Sequence, residues 1–201
     1  MNTELIEQLR SQLGANGLPY MIPIHPNLVH LTLGLFIAAI AFDIVGVLFP
    51  YQKPVFKFLS LSVTRSNFFD VGWYNIVAAA VISFFTVAAG FYEIMLAEAP
   101  SDVTSAWGLK AMETMLWHGV GGVFLLALIV GMTLWRGFQR FAWRKDTSQQ
   151  VQGSYIFAGF LILFVMFIHG TLGAHLAGEF GIHNTADALL RMGENPNLLL
   201  K

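Results

Sequence analysis

Four stretches of this chain run twenty residues or more with almost no charge: Leu28–Phe49, Gly72–Met95, Met112–Leu134 and Tyr155–Leu176. A hydrocarbon layer about 30 Å thick is crossed by about 20 apolar residues in a helix, so each stretch is long enough to span a bilayer. Only 11% of residues are charged and 56% are apolar, against roughly 25% charged in an average soluble domain. The spacing predicts an all-α polytopic membrane protein, an antiparallel four-helix transmembrane bundle. Its expected domain is 25–178, preceded by an amphipathic segment, 1–24, and followed by a polar tail, 179–201. In the first segment Leu5, Ile6, Leu9 and Leu13 fall on one helical face, and its charges rule out a secretory signal. The first span is expected to stop at Pro50, and Thr185–Met192 to form a short surface helix.

Charge and composition exclude several function classes. The formal net charge is −1, so no basic patch is available to neutralise phosphates, and nucleic acid is excluded as a partner. Cysteine is absent, which removes disulfides, iron–sulfur clusters and covalent c-type haem. No nucleotide-binding loop, metalloprotease helix or nucleophile elbow occurs, and no catalytic residue is assigned. A transporter or channel is weakly supported, since Asp43 is the one deep ionisable side chain besides histidine and no inverted repeat is visible.

Lysines and arginines set the expected orientation. Lys53, Lys57 and Arg65 lie between spans one and two, and Arg136, Arg140, Arg144 and Lys145 between three and four, against Arg10, Lys110, Arg191 and Lys201 on the other side. Both termini are therefore expected outside, in a periplasm or lumen, with the cationic loops in the cytoplasm. Asp43 is expected to pair with an inner-loop cation. Glu93 and Glu113 are expected to cap the outer ends of spans two and three, near the histidines.

The six histidines, His25, His30, His118, His169, His175 and His183, all fall in the outer half or beyond. His118 lies 18 residues before Arg136 and His169 lies 15 after Ser154, which at 1.5 Å per residue puts them about 27 and 22 Å up untilted helices. The same arithmetic puts His30 and His175 about 30 and 31 Å up. Two levels of paired imidazoles result. Three of the four carry a glycine four residues on: His30 with Gly34, His118 with Gly122, and His169 with Gly173. Positions four apart share a helix face. Such a pattern supplies an imidazole for a metal and an unobstructed edge for a flat macrocycle, while close helix packing is the plainer use of glycine. Polar residues at membrane depth are costly and usually functional. His118, His169, His30 and His175 are accordingly the candidate ligands, with Gly34, Gly122 and Gly173 beside them. His25 is equally an interfacial loop residue, and His183 is expected in an exposed tail.

The stretch Ile24-His25-Pro26-Asn27-Leu28-Val29-His30-Leu31-Thr32-Leu33-Gly34, with Ala38 and Asp43 following, resembles the opening of the bacterial membrane family called domain of unknown function 2231. In that family a His-Pro-x-x-Val-His motif leads into the first of four membrane helices. The resemblance extends over about residues 22–178, and Gly170-Thr171-Leu172-Gly173 is similar to the glycine-rich end of the family's last span. It implies the four-helix architecture and no settled activity. The layout is similar to small b-type cytochromes. The leading expectation is thus a bis-histidine, non-covalent haem b, carrying electrons between a quinol or respiratory partner and an outer acceptor, in a bacterial inner or photosynthetic membrane. The alternative is a non-redox subunit or assembly factor of a respiratory or photosynthetic complex, its histidines binding another transition metal or a chlorophyll-type pigment or only packing.

Overall fold

The computed structural model describes residues 12–58, 62–143 and 151–199, the side chains of Gln52 and Lys53 excepted. The expected amphipathic helix lies almost wholly outside these residues. Four long helices follow in order: α1 (Ile24–Phe58), α2 (Arg65–Leu96), α3 (Ala111–Phe138) and α4 (Gly153–Gly178). A π-helical turn (Gln139–Trp143) ends α3, and two short helices, α5 (Thr185–Arg191) and α6 (Pro196–Leu199), close the chain. No strand occurs among the described residues, where the one extended pairing is an isolated bridge, Thr104 with Lys110. All four long helices are long and apolar enough to cross a membrane. Many of their large apolar side chains, such as Phe84, Phe85, Phe164 and Phe167, are exposed, a surface suited to lipid and not to water.

Helix ends follow from local chemistry. At the start of α2, the Thr64 N–H donates to Asn67 Oδ1 at 2.8 Å, a capping contact that carries the helix seven residues back beyond the expected Gly72. Glu113 caps α3 as expected, its Oε2 accepting the Lys110 N–H at 2.9 Å. Asn184 caps α5 by accepting the N–H groups of Ala186 and Asp187. The expected stop at Pro50 is corrected: α1 runs on to Phe58 with Pro50 and Pro54 inside it. A proline lacks the N–H that would bond the carbonyl four residues earlier. For Pro50 that carbonyl belongs to Gly46, and Arg65 Nε donates to it at 2.8 Å, while Arg65 Nη2 reaches the Val47 carbonyl at 3.3 Å. A cation from α2 thus satisfies what the proline leaves open, which is one recognised way a membrane helix tolerates proline.

The chain divides into two compact units. One comprises residues 27–87 and 123–167, where segments of all four long helices share a core that includes Phe36, Ile40, Phe69, Ile76, Ile129, Met132, Tyr155 and Ile162. Its neighbours run antiparallel. Thr32 meets Thr86 at 2.9 Å near one end of the α1–α2 pair, and Gly46 meets Arg65 near the other. Deep inside, the fully buried Asp43 and Arg136 form a two-pronged ion pair, Nε to Oδ2 and Nη2 to Oδ1, both at 3.0 Å. The expected partner of Asp43 is therefore Arg136, which is a core residue and not a loop cation. The other unit comprises residues 1–26, 88–122 and 168–201. Its apolar cluster is built on Ala111, Met115, Leu176 and Phe180, with Leu18 also fully buried.

Candidate functional site, a cluster of imidazoles

The second unit gathers three imidazoles from three helices. His25 comes from the first turn of α1, and its position is fixed by Glu93 of α2. The buried Glu93 carboxylate accepts, at Oε1, the N–H groups of Ile24 at 2.8 Å and His25 at 3.0 Å and the Tyr20 hydroxyl at 2.9 Å. The first N–H groups of a helix have no partner within it, and its positive end favours an anion, so Glu93 serves as a cap for α1 supplied by another helix. That corrects the expectation that Glu93 caps its own helix. Burial first, and then the hydrogen bond to Glu93, push the Tyr20 phenol up, so Tyr20 remains a donor to that carboxylate through the neutral range.

His118 of α3 and His169 of α4 lie face to face. Their ring centres are 4.2 Å apart and their planes differ by 5°. His25 stands edge-on to His118, with centres 5.8 Å apart at 87°. The Nδ1 atoms of His118 and His169 are both buried and have no hydrogen-bond partner among the described residues. Glycines make the room. A Cβ placed on Gly90 would lie 2.8 Å from His25 Cε1, one on Gly121 would lie 2.7 Å from His169 Nδ1, and one on Gly173 would lie 3.0 Å from His118 Cε1. Gly122 also touches the His169 ring, at 3.8 Å.

The remaining candidates are placed otherwise. His175 turns to its own helix end, where Nδ1 is 3.0 Å from Glu179 Oε1 and the ring meets Trp107 edge-on at 5.0 Å. His30 is exposed and belongs to the other unit. Nothing lies within 4 Å of a Cβ on Gly34. His183, expected in an exposed tail, is half-buried, and each ring nitrogen lies against a backbone carbonyl. The sequence reading missed His25 as a member of the cluster. Its one available signal was a histidine at the start of the first span with a glycine, Gly90, toward the matching end of the second.

Imidazole nitrogen suits iron, copper and zinc, but the orientation here does not suit a shared metal. With metal–nitrogen bonds of about 2.0–2.1 Å, two axial imidazoles on one haem iron hold their ring centres roughly 6 Å apart with the macrocycle between them. The His118 and His169 rings are in contact instead, and the room beside each ring is used by the partner helix. A bare ion fails on a second ground. Imidazole lone pairs lie in the ring plane, and two parallel stacked rings aim theirs along parallel planes. Among the described residues no group of three or more His, Asp or Glu side chains is placed to hold a metal ion.

No curated protein matches this chain, and no solved structure does. One family does, over residues 21–186, a stretch that takes in His25, His118 and His169 together with Glu93 and the glycines around them. The chain belongs to that family, described as "Predicted membrane protein (DUF2231)".

Proposed function

We propose that this integral membrane protein takes up and returns one proton at the His118–His169 pair, with His25 as the third imidazole beside it. The observation that carries the reading is the parallel contact of the two rings with both Nδ1 atoms buried and unpartnered. A neutral imidazole has one N–H and one bare nitrogen, so each ring can accept a proton without breaking a bond to the protein at Nδ1. Two added protons about 4 Å apart repel by roughly 4 kcal/mol at an effective dielectric constant of about 20. The pair therefore holds one. The proton binds in the plane of one ring, and the face of the other, neutral ring stacks against that cation, which offsets part of the cost of placing it at membrane depth. Electron transfer through a haem held by these two rings is not part of the proposal, because their contact leaves no place for the macrocycle.

The test uses the full chain in lipid nanodiscs with nitrogen-15 histidine. One protonation event should be seen for the pair as the pH is lowered from about 8, and both His118→Asn and His169→Asn should remove or displace it. The visible spectrum should lack haem bands, and metal content should be far below one per chain. Independent titrations of the two rings would overturn the proposal, as would a stoichiometric haem or metal lost in either variant. For orientation the proposal keeps the balance of cations, with both termini outside.

A further inference from the structure

His183 lies in the link between α4 and α5 and is the one non-glycine residue with positive φ, 56°, among the described residues. Its Nδ1 is 3.0 Å from the carbonyl oxygen of Asn16, and its Nε2 is 2.8 Å from the carbonyl oxygen of Glu93. Both partners are oxygens that only accept. A neutral imidazole offers one donor and one acceptor, so it can satisfy one of these contacts while setting lone pair against lone pair at the other. Only the doubly protonated ring donates to both.

From this we infer that His183 is held as an imidazolium and forms a proton-dependent clip, joining the segment after α4 to the segment before α1 and to the last turns of α2. The contacts around it are otherwise settled. The Asn16 side chain donates to the carbonyls of Tyr20 and Met21 and accepts the Leu18 N–H. Of the titratable groups nearest its contacts, Glu93 and Tyr20 are hydrogen-bonded to each other, and Tyr92 beside Glu93 is exposed. On its own side Asp187 is paired with Arg191 at 2.6 Å. Glu93 spends Oε1 on Tyr20, Ile24 and His25 and offers His183 its backbone carbonyl, so one residue ties the clip to the cap of α1. Loss of the proton breaks one of the two bonds and leaves a left-handed backbone, uncommon for a residue with a side chain, with half its support. This inference stands apart from the proton pair at His118 and His169.

The experiment is nitrogen-15 histidine NMR with hydrogen exchange on the full chain in nanodiscs, across about pH 5 to 9. His183→Gln assigns the His183 signals. While residues 12–26 and 179–191 are protected, both His183 ring nitrogens should carry protons. As the imidazolium deprotonates, protection factors in both segments should fall about tenfold or more. His183→Gln should remove that step and leave protection flat with pH. His183→Gly, which relieves the backbone but removes the clip, should give low protection at every pH. A singly protonated ring in the protected state would overturn the inference, as would a protection step that survives in His183→Gln or full protection in His183→Gly.

Discussion

Neutralising Asp43 should damage this protein more than removing Arg136, although the two residues make the same ion pair. Arg136 gives Asp43 both prongs of its guanidinium at 3.0 Å, and both side chains are fully buried. It also donates to the Phe69 carbonyl at 3.3 Å and lies 5.7 Å from the centre of the Phe69 ring. In Asp43→Leu the guanidinium, which cannot lose its proton, is left without an anion in a site that water does not reach, a loss typically worth about 3–5 kcal/mol. At about 1.4 kcal/mol per factor of ten, that is a drop of two to nearly four powers of ten in the folding equilibrium. In Arg136→Met the carboxyl group can take up a proton and become neutral, so the loss should be smaller, about 1–3 kcal/mol. The double variant Asp43→Leu with Arg136→Met leaves no buried charge, and replacing a buried pair by apolar groups is often neutral or better. It should therefore be more stable than Asp43→Leu alone. Equilibrium unfolding of the four proteins in mixed micelles measures the cycle. Strictly additive losses, or an Asp43→Leu protein within about 1 kcal/mol of the parent, would refute the reasoning.

Two further outcomes follow from other parts of the molecule. Gly121→Ala puts a methyl group where His169 Nδ1 is 2.7 Å away, while Gly34→Ala meets nothing within 4 Å; the first should cost about 1–3 kcal/mol and displace the His169 signals, and the second should be neutral or gain up to about 1 kcal/mol. Equal effects would refute the cradle. A topology reporter fused after Lys201 should read as external and one inserted at Arg144 as cytoplasmic, and the reverse pattern would refute the orientation.

The four spans were legible because apolar length is a property of the chain taken one residue at a time, and every span appears where it was expected. Their ends were less legible. Pro50 is a stop in isolation, but whether a helix continues through it depends on who bonds the Gly46 carbonyl, and Arg65 lies 19 positions away. The cap of α1 is Glu93, 68 positions from His25. His175 is a different case, since its partner Glu179 is four residues on in the sequence, a local contact that depth arithmetic does not register.

The glycines show most clearly what spacing along one helix omits. A histidine and a glycine four residues apart share a face, and the sequence reading took the glycine as room beside its own imidazole. In an antiparallel pair, however, moving four residues forward on one helix faces a residue four positions back on the other. His118 with Gly122 on α3 and His169 with Gly173 on α4 are two copies of one motif, and in the observed register they interlock: Gly173 faces the His118 ring and Gly122 faces the His169 ring. Each motif contributes the ring that fills the other's gap. The repeated spacing was therefore a true signal of a close approach between α3 and α4, and the two rings stacked at 4.2 Å are what that approach accommodates. Gly34 follows His30 at the same spacing but has no neighbour within 4 Å, so the motif encloses a ring only where a second, antiparallel copy answers it.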